Sequence, residues 1–197
     1  MVQTRDVLGM NARNQLFVPL NSRKARSFCV SKYATKLLME SNNIPTAQVY
    51  GMLGTVEDVD EFDWKSLKQD FVIKPTNGHA GKGVVAFRKQ HTDGEHWTDA
   101  IGATWSLQDI KLLCTDILSG EYSTHGSNHN IIVEERIPIH SKLLKYTYKG
   151  TPDIRIVVFN SVPVMALLRL PTEESGGRAN QSQGALGVGV DISTGIT

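Results

Sequence analysis

The chain has 197 residues, of which 40% are hydrophobic and 21% are charged, as in an ordinary globular protein with a substantial core. Its formal net charge is +1, so no overall field attracts nucleic acid or a membrane surface, and any anion site must be local. The longest apolar run, Val162 to Leu168, is shorter than the roughly 20 residues of a membrane-spanning helix. The N-terminus is charged and lacks the apolar stretch of a secretory signal peptide. Together with two cysteines that lie far apart, this predicts a cytoplasmic protein with reduced thiols.

The first third of the chain predicts a lead-in, two helices and a strand. Residues 1–30 are mixed and basic and predict a solvated lead-in. Ser31 is a typical N-cap for a helix that carries an apolar stripe and reaches Asn42. A strand over 47–53 follows, and after it a short acidic helix over 55–68 that begins with Thr55 and Asp58.

The rest of the chain is rich in predicted strands. A helix with apolar residues at helical spacing begins at Ser106 and ends before Gly120. Strand-like stretches occupy 71–75, 83–88, 131–137, 154–159, 162–170 and 185–190. Asn160 and Ser161 predict a hairpin turn between two of them. The class is therefore α+β with mostly antiparallel strands, and the last residues, 191–197, suggest a sequence that stops inside its own fold.

The stretch FVIKPTNGHAGKGVVAF, residues 71–87, joins two strand-like segments through a glycine-rich loop. A P-loop requires Ser or Thr after the Gly-Lys pair, but Gly83 follows Lys82. A dinucleotide loop leads into a helix, and a kinase glycine loop precedes its strand lysine, whereas here Lys74 comes first and a strand follows. All three of these phosphate loops are excluded by the order of elements.

What remains is a β-hairpin with a glycine-rich tip. Lys74 at the strand end would direct its ammonium group towards phosphate oxygens, and Gly78, Gly81 and Gly83 would let backbone N–H groups approach them. The alternative is a plain hairpin with a mobile tip and a surface lysine. These residues alone leave both interpretations open.

Four further segments follow a recognisable order: SKYATKLL (31–38) with NIPTA (43–47), IIVEERI (131–137), DIR (153–155) and VMALLR (164–169). Together with the glycine hairpin, this order resembles the ATP-grasp superfamily, in which two lobes enclose ATP. VLGMNARN, MALLRLPT and GRANQSQGALGVGVD further resemble the alpha-L-glutamate ligase-like subgroup, related to enzymes that add glutamate to ribosomal protein tails. The resemblance implies an ATP-grasp fold with a lead-in over 1–30, a small lobe over 31–135 and an incomplete larger lobe over 136–197.

The resemblance also implies roles for individual residues. ATP would be held by phosphate-contacting, adenine-contacting and ribose-contacting residues: Lys32, Lys74, Gly78, Gly81, Lys82, Gly83, Glu134, Glu135, Ile137 and Asp153. The γ-phosphate and an acyl-phosphate intermediate would meet the catalytic residues Arg155, Arg169 and Asn180. From the residues alone, either arginine could instead pair with Glu134 or Glu135, and Asn180 could simply cap a loop.

Some positions depart from the family pattern. Ser31 replaces the usual aspartate, and His79 and Ala80 add bulk at the loop tip. His125 and His129 lie four residues apart in a polar segment without a third ligand, which favours a solvated loop over zinc. The superfamily's magnesium ligands include a downstream E-x-N motif, and none follows Asp191, so we expect magnesium ligands beyond residue 197 and no ligase activity from residues 1–197 alone.

The implied activity is an ATP-dependent carboxylate–amine ligase that acts through an acyl phosphate, with small-molecule or peptide substrates. We expect neither nucleic acid nor a membrane as a partner. The alternatives are a noncatalytic ATP-binding or peptide-binding module and a kinase-like phosphotransferase.

Overall fold

The structure of the protein is a computed structural model. It describes residues 9–67, 70–78, 81–122 and 129–197. The chain divides into two compact units, Met1–Thr46 and Ala47–Thr197, and each is described by itself.

The N-terminal unit is helical, although its residues 9–30 are nearly all exposed, so the predicted solvated lead-in contains helices. Its helices are α1 (Met10–Ala12), a π-helical turn (Arg13–Phe17), a 3₁₀ turn (Val18–Leu20), α2 (Arg23–Val30) and α3 (Lys32–Ser41). Ser22 caps α2 by accepting a hydrogen bond from Ala25 N at 3.0 Å. Arg and Lys are good helix formers, so a capped basic segment forms a helix without the apolar periodicity that would announce it.

Helix α3 begins as predicted. Ser31 accepts a hydrogen bond from the backbone N of Ala34 at 3.2 Å. The Thr35 hydroxyl donates to Phe28 O and thereby ties α3 to the preceding helix. Among the described residues, no helix is both long and apolar enough to cross a membrane.

A six-stranded antiparallel sheet forms the first part of the second unit, in the order β1-β6-β2-β3-β4-β5. Its strands are β1 (Val49–Leu53), β2 (Phe71–Pro75), β3 (Val85–Gln90), β4 (His96–Asp99), β5 (Thr104–Ser106) and β6 (Ile131–Glu135). Helices α4 (Val56–Glu61) and α5 (Leu107–Ser119) pack against this sheet. The buried side chains of Phe71, Ile73 and Phe87 share one apolar core with Ile110 and Ile117 of α5.

Strands β4 and β5 were not predicted, because both are short and carry polar residues. The carboxylate of Asp99 organises the turn between them. It accepts backbone N–H groups from 101, 102 and 103 at 2.8–3.0 Å and the Trp105 indole N–H at 3.0 Å. The turn is therefore held by one buried acidic side chain, while Trp97 of β4 and Trp105 of β5 pack in the core.

The second sheet has three antiparallel strands, β7 (Asp153–Phe159), β8 (Val162–Leu170) and β9 (Leu186–Val190), in that order. Asn160 and Ser161 form the predicted turn with φ angles of 46° and 64°, as expected for a type I′ hairpin. Asp153 lies opposite Arg169 in the register. Since side chains alternate between faces, Arg155 shares a face with this pair.

Asp191 ends β9 in a tight hydrogen-bonded turn. Its Oδ1 accepts the backbone N–H and the hydroxyl of both Ser193 and Thr194, at 2.6–3.0 Å. The Ser193 and Thr194 hydroxyls, followed by the backbone donors, lower the pKa of Asp191 to about 2.

This lowered pKa predicts a pH dependence of stability. The native state favours the ionised carboxylate, so its contribution is complete above the unfolded pKa of about 3.9 and is lost as the pH falls towards 2. We expect Asp191→Asn to be less stable than wild type at pH 6, with a difference that shrinks below pH 4. Urea unfolding at several pH values measures this difference, and Ser193→Ala should reduce it. A difference that stays constant down to pH 3 would contradict the assignment.

Candidate nucleotide site

Lys74 is held against the first sheet by a carboxylate. In the β2–β6 register, Lys74 lies opposite Ile132 and Val72 opposite Glu134, which makes Lys74 and Glu134 diagonal neighbours on one face. Lys74 Nζ donates to Glu134 Oε1, and the two side chains are 20% and 8% exposed. The lysine is therefore fixed at the end of β2 rather than lying free on the surface.

The glycine-rich tip follows directly from β2. Gly78, Gly81 and Gly83 have φ angles of 145°, 72° and 67°, a backbone conformation that side chains disfavour. Gly81 O accepts the Val84 N–H at 3.3 Å and closes a turn that exposes Lys82. His79 and Ala80 lie outside the described residues. The tip thus presents bare backbone and the exposed Lys82, a combination suited to phosphate.

Two residues that sequence reasoning missed lie against this tip. A Cβ atom at Gly83 would be 2.7 Å from Tyr122 Cδ2, and one at Gly81 would be 3.7 Å from Arg178 Cδ. Arg178 belongs to the GRANQSQGALG segment that carried the resemblance, but no local pattern connects Tyr122 with the hairpin. Both contacts join residues far apart in sequence, and only the folded chain reveals them.

The second sheet contributes a cation–carboxylate pair. Arg169 Nε donates to Asp153 Oδ1 at 2.6 Å, and Nη2 donates to Oδ2. The hydrogen bonds to Asp153 raise the pKa of Arg169 against an opposing effect of burial. Among the described residues, Nη1 of Arg169 takes no part in the hydrogen bonds to Asp153. Arg155 lies on the same face of the sheet.

The suggested pairing of Arg155 or Arg169 with Glu134 or Glu135 is wrong for the described contacts. Arg169 pairs with Asp153, and Glu134 pairs with Lys74. Glu135 instead accepts the Gln48 N–H at 3.2 Å, at the edge of β1. The strand registers decide these partners, and the chain order of the residues does not reveal them.

The remaining predicted residues occupy separate places. Ile137 follows the end of β6, which stops at Glu135, and is 58% exposed. Asn180 accepts the Ser182 N–H at 3.2 Å and the Ser182 hydroxyl at 3.0 Å, so it caps the 3₁₀ turn Gln181–Gln183 as the simpler alternative predicted. Lys32 is the first residue of α3 in the N-terminal unit, and its phosphate contact stays a prediction.

The loop before β7 is attached to the first sheet. Arg88 Nη2 donates to Lys149 O at 3.1 Å, and Lys149 Nζ donates to Ile101 O at 2.9 Å. These contacts, together with Arg178 beside Gly81, bring loops of the second sheet to the first. Arg178 thus lies beside the glycine hairpin from a loop of the second sheet.

The described residues do not fit a magnesium site. They contain no group of three or more His, Cys, Asp or Glu residues placed to hold a metal ion. The candidate carboxylates are engaged: Glu134 by Lys74, Asp153 by Arg169, and Asp191 Oδ1 by its own turn. His125, one of the paired histidines, lies outside the described residues.

The bidentate Arg169–Asp153 pair can be tested by substitution. Arg169→Lys cannot form the same two bonds, so the free energy of unfolding should fall by about 1 kcal/mol, since the partly exposed Asp153 is screened by water. Urea denaturation measures the loss, and Lys65→Ala in the exposed Lys65–Glu95 pair is the control with a smaller effect. Adding Asp153→Asn to Arg169→Lys should cost little more. Fully additive losses would show that the two side chains act independently.

Comparison with known proteins agrees with this architecture. No curated protein matches the chain. A family model described as "Sugar-transfer associated ATP-grasp" matches residues 11–197, nearly the whole sequence. The α+β fold with antiparallel sheets, the strand lysine and the glycine hairpin are all consistent with that match. The chain belongs to the sugar-transfer associated ATP-grasp family.

Proposed function

We propose that this protein is an ATP-dependent carboxylate–amine ligase that forms an amide bond through an acyl phosphate. The observation that carries the proposal is the convergence on one glycine hairpin of Lys74, held by Glu134, and Arg178 from the loop between β8 and β9. Membership of the ATP-grasp family indicates that the nucleotide bound at this hairpin is ATP. The pairing of cations with exposed glycine backbone supports an anionic ligand of high charge density.

In this proposal the first sheet holds the nucleotide. Lys74 has three ammonium protons, so it can retain Glu134 and still donate to the phosphates of ATP. Gly78, Gly81 and Gly83 allow the backbone to approach the same oxygens. Adenine lies along the end of β6 beside Glu135 and Ile137.

The first chemical step transfers a phosphoryl group. A substrate carboxylate oxygen attacks the γ-phosphorus of ATP, the bond to the β–γ bridging oxygen breaks, and ADP leaves with that electron pair. Arg155 and Arg169 stabilise the charge on the transferred group, with Arg169 kept in orientation by Asp153. A group positioned in advance does not have to reorganise when the charge develops.

The second step forms the amide. The amine attacks the carbonyl carbon of the acyl phosphate, the carbon–oxygen bond to phosphate breaks, and inorganic phosphate leaves while the nitrogen loses one proton. The role of Asn180 follows its geometry: as the cap of the turn 181–183 it keeps the loop between β8 and β9 in place. Arg178, two residues before Asn180 in the same loop, lies beside Gly81 of the hairpin.

The substrates are defined here by class. The resemblance to glutamate ligases favours glutamate as the amine, whereas the description of the matching family refers to sugar transfer. A panel should therefore contain amino acids, short peptides and sugar acids as carboxylates, each with several amines. We place the reaction in the cytoplasm, where free thiols such as Cys29 and the buried Cys114 persist.

ATP binding should depend on Lys74. Saturation at 100 times the Kd stabilises a protein by about 2.7 kcal/mol, a rise in Tm of roughly 5 to 10 °C for a chain of this size. We expect ATP to raise the Tm of wild type and to leave that of Lys74→Met unchanged. Thermal unfolding with and without ATP measures the shift.

Two further variants make this experiment decisive. Lys74→Met leaves the Glu134 carboxylate buried without its cation, which can cost about 3–5 kcal/mol and unfold the protein. The double variant Lys74→Met/Glu134→Gln removes both charges and should fold while still lacking ATP protection. Lys65→Met, in an exposed ion pair of the same unit, should keep the protection. Normal protection of the double variant would contradict the role of Lys74.

Phosphate release should distinguish a ligase from the alternatives. We expect a chain that carries residues 1–197 together with the magnesium ligands to release inorganic phosphate from ATP only when a suitable carboxylate and an amine are both present, and residues 1–197 alone to bind ATP without turnover. Release or a stable phosphorylated product with one substrate alone would indicate a phosphotransferase. ATP binding without turnover across the panel by the chain that carries the magnesium ligands would indicate a noncatalytic binding module and overturn the ligase proposal.

A further inference from the structure

Gly83 and Tyr122 form a contact that connects the glycine hairpin with the end of α5. Helix α5 stops at Gly120, which has the left-handed φ of 91° that commonly ends helices. Tyr122 follows two residues later and packs partly buried against the apolar core of the first sheet. Its side chain thus packs against the core and also lies against Gly83 of the hairpin.

The contact is made by the inner part of the aromatic side chain. A Cβ atom at Gly83 would lie 2.7 Å from Cδ2, 2.8 Å from Cγ and 3.1 Å from Cβ of Tyr122. Real Cβ atoms do not approach this closely, so a larger residue at Gly83 must displace the ring. Because the phenolic oxygen takes no part in the contact, Phe should replace Tyr122 without loss.

Gly83 lies where the hairpin enters β3. Its φ of 67° already favours glycine, and the ring of Tyr122 is a second, independent reason for it. The next contact along the tip is that of Gly81 with Arg178. The Tyr122 ring beside Gly83 and the aliphatic part of the Arg178 side chain beside Gly81 therefore limit the orientations that the tip can adopt.

We propose that Tyr122 is a positioning residue that sets the orientation of the glycine hairpin over the nucleotide phosphates. The proposal rests on the proposed ATP site. Tyr122 touches no phosphate itself and acts through Gly83. Without the ring, the hairpin keeps its glycines and lysines but loses the surface that fixes its orientation relative to the phosphates. ATP should then bind more weakly, because small misplacements of binding groups are costly.

A double-mutant cycle tests the contact on the full chain. We expect Tyr122→Phe to bind ATP within about twofold of wild type and Tyr122→Ala to bind roughly tenfold more weakly. Gly83→Ala should bind more weakly still, because the new methyl group collides with the ring. In the Tyr122→Ala background, Gly83→Ala should cost clearly less than it does alone, since the two closest contacts disappear with the ring and only the 3.1 Å approach to Cβ and the backbone strain remain. Isothermal titration with ATP gives each Kd, and thermal unfolding gives each Tm.

Phe62 provides a matched control within the same core. It packs on Gly51 of β1 in a similar way, with a Cβ at Gly51 lying 2.5 Å from Phe62 Cε2, but it belongs to the segment between α4 and β2 and not to the hairpin. Phe62→Ala should therefore lower the Tm and leave the Kd for ATP unchanged. Tyr122→Ala should change both.

The outcomes separate this inference from the proposed function. If wild type binds ATP and Tyr122→Ala binds it equally well, the positioning role is overturned while the nucleotide site stands. Losses for Tyr122→Ala and Gly83→Ala that multiply independently would likewise overturn it, as would failure of Phe to rescue. If wild type itself binds no ATP, the proposed function fails and this inference fails with it.

Discussion

The pairing of Lys74 with Glu134 is the constraint on which the site depends. Both side chains are largely buried on one face of the sheet, and burying either charge alone would cost several kcal/mol, so the register that brings them together is strongly favoured. The pair has no net charge, however. The attraction for phosphate must therefore come from the glycine backbone and from Lys82 and Arg178, while Lys74 supplies directed hydrogen bonds.

The second sheet repeats this arrangement with different partners. Arg169 is held by Asp153 through two guanidinium nitrogens, as Lys74 is held by Glu134. In each case a carboxylate orients the cation before any ligand arrives and limits the side-chain entropy lost on binding. The arrangement also explains why these carboxylates cannot serve freely as metal ligands, since removing one from its partner would leave a cation unpaired.

Local signals accounted for much of the fold. Ser31, the Thr55–Asp58 capping box, the Ser106–Asp109 capping box and Gly120 act within a few residues, and they fix helix ends that are readable from sequence. The basic helices of residues 10–30 lack apolar periodicity, and β4 and β5 are short strands joined by a turn that the carboxylate of Asp99 holds, so both escaped prediction. For the site, the sequence order indicated Lys74, Asp153 and Arg169 but not their partners. Partners are set by strand register and long-range packing, which also place Tyr122 on Gly83.

The two sheets carry different cations, and in the proposed ligase reaction each sheet would meet a different anion. A module that only holds a nucleotide needs the strand lysine and the glycine hairpin, both of which belong to the first sheet. Arg155 and Arg169 add two cations on one face of the second sheet, where Arg169 is only 15% exposed and loses hydration. Asp153 offsets the charge of the less exposed Arg169, and the exposed guanidinium group of Arg155 can meet a second anion from solvent. A phosphoryl group moving from ATP to a carboxylate is an anion of that kind, and its charge is spread over several oxygens that guanidinium groups match well.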